Sequence, residues 1–152
     1  MNGSSAFLVD TNVLVYAYDP ADREKQERAV RILEMLAANR MGSISTQILG
    51  EFFVTVTRKI APPVSLDDAI RSVVHYTRSW LVHGIDGHVV LEAVEGLRRH
   101  HLAYWDSLVW ATAKRNGVPN VLSENFQDGR LLEGIRFLNP LKDSFDLSLL
   151  RQ

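Results

Sequence analysis

Apolar residues in this chain come as short unbroken runs, each followed by a longer stretch with helical periodicity, and that alternation leaves few folds open. Ala6-Phe7-Leu8-Val9 is too short and too continuous for an amphipathic helix and reads as a buried strand. Residues 23–39 then place Ala29, Ile32, Leu33, Leu36 and Ala37 on one helical face with charges opposite. Gly42 to Ser45 makes a second strand, and Thr46 to Lys59 a helix that ends before Pro62-Pro63. Ser65-Leu66-Asp67-Asp68 restarts a helix with a capping signal. Trp80-Leu81-Val82 is a third strand, followed by helices from about His88 to His100 and from Tyr104 to Asn116, where Gly117 and Pro119 stop the chain. Asn120 to Ser123 and Ile135 to Leu138 are the last strands. Strands alternating with helices imply an α/β domain with a parallel sheet of four to five strands and right-handed crossovers. At 152 residues the chain reads as a single domain, 1–152, with a core from about 6 to 140 and a tail, 141–152, packed through Phe145, Leu147, Leu149 and Leu150.

An open parallel sheet places its chemistry beyond the carboxyl ends of its strands. The first strand ends there in Asp10-Thr11-Asn12. Asp10 is therefore a metal-ligand or nucleophile candidate, although capping of the following turn explains an aspartate equally well. Glu51 lies on the helix after the second strand, on a stripe with Gln47, Thr55 and Arg58; a surface glutamate is the plain alternative. Asp106 opens the helix from Tyr104, where the helix dipole alone favours an acid. Ser123-Glu124-Asn125-Phe126-Gln127-Asp128-Gly129 follows the fourth strand and is also good turn chemistry.

Taken together these positions say more than singly. Residues just after parallel strands gather along one sheet edge, so Asp10, Asp106 and the 123–128 loop converge there, with Glu51 able to point into the same crevice. Clustered carboxylates raise each other's pKa unless a counter-charge joins them. With no cysteine in the chain, any metal is held by oxygen or imidazole, and magnesium or manganese suits an all-oxygen site. The five histidines lie outside these segments and read as ordinary surface or core residues.

These segments resemble the PIN-domain family, and within it the VapC-type toxin ribonucleases. The likeness rests on Asp10-Thr11-Asn12-Val13-Leu14, on Gln47 and Glu51 with Phe52-Phe53, on Trp105-Asp106-Ser107-Leu108 with Ala111, and on Val121 to Gly129 with Asn139-Pro140. It implies a three-layer α/β/α sandwich and a magnesium- or manganese-dependent endoribonuclease. It also implies RNA as substrate and a cognate antitoxin as partner. Carried over by position, Asp10, Glu51 and Asp106 are the metal-binding catalytic acids, supported by Thr11, Asn12, Ser123, Asn125 and Asp128. Asn125 departs from the pattern, since many relatives carry a fourth acid there; Glu124 or Asp128 is left to supply that charge.

Net charge is -1, so nucleic-acid binding would rest on local patches. Between Leu97 and Arg115 lie Arg98, Arg99, Lys114 and Arg115 against the one acid Asp106; with Arg130 these are the candidates for RNA contact. A solvated helix face is the alternative. A homodimer through the 23–39 helix or the 65–80 segment is also expected. Met1-Asn2-Gly3-Ser4-Ser5 lacks a targeting pattern and no run approaches the roughly 20 apolar residues of a membrane span, so a cytoplasmic protein is expected. Two other functions remain open: an RNA- or protein-binding module without catalysis, and a haloacid-dehalogenase-like phosphatase, which would want an acid where Asn12 stands.

Overall fold

A computed structural model describes residues 5–151. Residues 1–4, part of the segment read for a targeting signal, lie outside that range. Among the described residues no helix is long and apolar enough to cross a membrane.

Six strands form one sheet, β1 (Phe7–Val9), β2 (Gly42–Ser45), β3 (Leu81–His83), β4 (Asn120–Leu122), β5 (Leu131–Leu132) and β6 (Ile135–Leu138), in the order β3-β2-β1-β4-β6-β5. All neighbours are parallel except β5 and β6, which pair antiparallel. The sheet is thus mixed, where the sequence implied four to five strands, all parallel. The extra strand exists because Glu133 and Gly134 both adopt positive φ, 48° and 86°, and close a two-residue hairpin.

Six helices connect the strands: α1 (Thr11–Tyr16), α2 (Arg23–Ala38), α3 (Thr46–Arg58), α4 (Leu66–Ser79), α5 (Gly87–His100) and α6 (Tyr104–Arg115). The chain steps outward from β1 through β2 to β3, then returns across the sheet to β4. Right-handed crossovers put connections of opposite travel on opposite faces. The packing agrees: α1 touches α2 and α3, α3 touches α4, and α5 pairs with α6, giving the α/β sandwich. The third strand is displaced by one residue from the expected Trp80–Val82, because Trp80 ends α4 by donating its N–H to the Tyr76 carbonyl. Trp80 instead packs its ring edge-on against Tyr76.

The core runs along both sheet faces. Leu8, Val9, Ile44, Val121 and Phe137 are fully buried, and Trp110 is the largest side chain with no exposure. Trp110 sits where α5 and α6 approach closely, since a Cβ on Gly96 would stand 2.2 Å from its ring. In the tail, a 3-10 turn at Leu147–Leu150 buries Leu150 against the body, and Asn39 Nδ2 donates to its carbonyl at 2.9 Å. Leu149, expected to pack, is exposed instead.

Candidate active site

Because the strand order reverses at β1, the carboxyl ends of β1 and β4 flank a crevice. Asp10 follows β1 and Ser123 follows β4, and the two meet. Asp10 both caps α1 and faces the crevice, so capping and a functional role do not compete. Its Oδ1 accepts from the Thr11 N–H at 2.8 Å. Its Oδ2 accepts from Ser123 Oγ at 2.7 Å and more weakly from Asn12 Nδ2 at 3.4 Å. Asn12 also ties the loop down, donating to Ser123 Oγ at 3.1 Å and accepting the Glu124 N–H at 3.1 Å. The Asn125 N–H donates to the same serine oxygen.

Glu51 stands in the second turn of α3, where Oε1 accepts from Thr11 Oγ1 at 2.8 Å. Asp106 lies in the first turn of α6, whose N-cap Ala103 offers no side-chain bond. Nothing among the described residues donates to the Asp106 carboxylate. Gln47 bridges the two helices, its Nε2 donating to the Trp105 carbonyl at 3.3 Å and reaching Glu51 Oε1 at 3.5 Å.

Burial is the largest influence on Asp10, which is only 5% exposed, and it pushes the carboxyl up to about 6. Bonds from Ser123 and Thr11 oppose that rise, and the negative charges of Glu51 and Asp106 add to it. Asp106 is also raised, first by desolvation and then by Glu51. The carboxylates therefore feel one another across a cavity of about 910 Å³. Asp10, Asp19, Glu51 and Asp106 line it against one cation, Lys59.

Four acids against one lysine in a partly buried cleft fit a hard divalent cation, which would relieve the repulsion. Among the described residues no three His, Cys, Asp or Glu side chains form a ready-made ligand group. Magnesium can be held through one or two carboxylates, with water and substrate phosphate completing its shell, and so does not require three acids to converge on it.

Thr11, Asn12 and Asn125 line the cavity with the three acids, and Ser123 is buried behind Asp10. Asp128 is not brought there: its Oδ1 accepts the Asn139 N–H at 2.9 Å and its Oδ2 faces Lys142 at 3.8 Å. Glu124 turns to Lys25 and the Tyr16 hydroxyl, both at 2.6 Å. Neither acid replaces the charge missing at Asn125. Asn12, where a haloacid-dehalogenase-like site would need an acid, is a donor to Asp10.

The basic candidates stand elsewhere. Lys114 and Arg115 lie at the last turn of α6, eight and nine residues beyond Asp106, so roughly 12 Å of helix separates them from it. Lys114 and Arg99 are held by Glu92 and Glu133. Arg98 and Arg130 do not line the cavity either. The cation that does, Lys59, was overlooked. Glu51, Thr55 and Lys59 step by four along α3, and that row, rather than Arg58, was the available signal. Asp19 and the role of Trp105 at the cavity wall were likewise not read from the sequence.

The sequence pattern of the PIN domain family matches residues 7–127. Among solved structures the chain is similar to VapC20 of Mycobacterium tuberculosis, a Sarcin-Ricin loop cleaving toxin, with a TM-score of 0.62 and 17% identity over 78% of this chain and 91% of that one. A toxin-antitoxin complex from Klebsiella pneumoniae aligns with a TM-score of 0.64 and 20% identity, covering 88% and 96%. DNA-bound VapBC from Salmonella typhimurium gives 0.61 and 17%, covering 88% and 96%. No curated protein matches significantly.

Proposed function

This chain belongs to the PIN domain family, and from that membership we propose that it is a metal-dependent endoribonuclease, the toxin of a toxin-antitoxin pair. The observation that carries the reading is Asp10: a carboxyl 5% exposed, fixed by Ser123 and Asn12 at the switch point of the sheet, and raised first by its burial and further by Glu51 and Asp106. A buried acid facing like charges supports the reading that a cation belongs beside it.

In this reading Asp10, Glu51 and Asp106 hold magnesium or manganese. When bound, such an ion supplies positive charge against that developing on the phosphodiester and lowers the pKa of a water for in-line attack. The protein's own groups set the geometry. Ser123 and Asn12 orient Asp10, and Thr11 and Gln47 hold Glu51 at Oε1. Asn125 at the wall can hold a water through its amide but adds no charge, which favours one cation over two. Lys59 provides a backbone-phosphate contact that confers affinity without sequence preference.

The toxin assignment is supported by the structural neighbours, several of which are toxin-antitoxin complexes. An antitoxin would neutralise the acidic cleft with a basic side chain. A second copy of the chain is a further partner, with Leu66, Ile70 and Val74 exposed along α4. The test is cleavage of a mixed single-stranded RNA pool with magnesium or manganese by the unsubstituted protein and by Asp10→Asn. Metal-dependent cleavage lost in the variant is expected; equal cleavage by both sinks the proposal. One observation favours a non-catalytic binding module, the absence of a fourth acid at Asn125. RNA binding that survives chelation, with no cleavage, would establish that reading instead.

A further inference from the structure

Three tryptophans occupy this chain, and they are treated differently. Trp80 and Trp110 are 9% and 0% exposed, whereas Trp105 is 61% exposed. Tryptophan is enriched at contact surfaces, where its large ring can be covered while its N–H keeps a partner. Trp105 is also held in place. Its carbonyl accepts from Gln47, and its ring meets Tyr104 edge-on at 4.9 Å, Tyr104 itself being packed against the core. The indole borders the cavity and adjoins Asp106 in sequence.

Resting on the nuclease reading above, we propose that Trp105 is a stacking platform that takes the face of an unpaired nucleobase and so sets which phosphodiester lies against the acids. Every base presents a π-face, so an indole at the rim contributes affinity without reading sequence. Braced in advance by the ring of Tyr104, it loses little side-chain freedom on binding. In the nuclease reading a phosphodiester lies against the acids of this same cavity, so a base flanking it is the occupant that the site's own chemistry brings beside the indole. Tyr16, the other ring at this wall, already has Lys25 Nζ over its face, 4.9 Å from the ring centre.

Stacking of one base is worth on the order of 1–3 kcal/mol, or about 5- to 150-fold in binding. The experiment uses a short mixed-sequence single-stranded oligoribonucleotide with magnesium, titrated into Asp10→Asn protein carrying Trp105, Trp105→Phe or Trp105→Leu. Cleavage by the same Trp105 variants is measured with Asp10 intact. As the exposed indole, Trp105 is expected to be quenched on binding. Trp105→Leu should bind about 5- to 150-fold more weakly and Trp105→Phe within about threefold, with manganese affinity of the Asp10 protein unchanged by either. RNA that binds without quenching, or Leu binding like the native residue while cleavage persists, overturns the platform and leaves the indole as a protein-contact surface. Stacking without cleavage in any variant keeps the platform and overturns the nuclease reading. No RNA binding by any protein overturns both.

Discussion

Asp10 and Glu133 are both carboxylates fastened by several hydrogen bonds, yet one is pushed up to about 6 and the other drawn down to about 2. Burial pushes Asp10 up, and the donors that oppose it are neutral: a serine hydroxyl and a backbone N–H, with an amide beside them. Cations hold Glu133: Lys114 lies at 2.9 Å and Arg99 at 3.1 Å, both also over the ring of Trp110, and His100 Nε2 stands at 2.6 Å. The α5–α6–hairpin cluster carries its counter-charges within the chain and reads as structural fastening. Around the β1–β4 cluster a single lysine, Lys59, faces four acids, and that deficit is what a bound divalent cation would make good.

The comparison breaks most visibly if both clusters respond alike to removal of their acid. Asp10→Asn should lower metal-dependent RNA cleavage on the order of a thousandfold, whereas Glu133→Gln should leave it unchanged; initial cleavage rates of the two variants decide. Stability should move the other way. A carboxyl raised above its unfolded value stabilises the fold while protonated, and that contribution is lost as pH rises through the folded value. Metal-free protein should therefore weaken between pH 4 and pH 6, and Asp10→Asn should be more stable than the parent at pH 7 by on the order of 3 kcal/mol, measured by denaturant titration.

Sharpening comes from the supporting residues. Ser123→Ala removes the shortest bond to Asp10 and should weaken manganese binding about tenfold by calorimetry, as loss of groups that orient ligands commonly does. Glu133→Gln should destabilise by about 1 kcal/mol at low salt and less at high salt, because the pairs are partly solvated. For this depressed acid the contribution is present above 4.5 and fades as pH falls toward 2. Smallest is Lys59→Ala, which should weaken RNA binding and reduce its salt dependence by about one phosphate contact.

Local signals made most of the fold legible. The apolar run at Phe7–Val9, the faces of α2 and α3 and the stops at Gly117 and Pro119 each act within a few residues. Strand β5 was invisible because two leucines carry no periodicity, and only the positive φ at Glu133 and Gly134 creates it. The acids were legible for the same local reason, each lying just after a strand or near the start of a helix. What failed was pairing between elements. Arg99 and Lys114 looked like a free basic patch because Glu92 and Glu133 reach them from α5 and the hairpin. Asp128 looked like a site residue because its partner, the Asn139 N–H, follows β6. Lys59 sits at the end of a helix whose course along the cavity no local pattern reveals.

The claim that Asp10 awaits a cation is tested most directly by titrating its carboxyl carbon by NMR, with and without excess magnesium. A metal-free midpoint near 6, driven well downward by magnesium, is the predicted result. A midpoint at the ordinary value of 3.8 that magnesium does not move would contradict it.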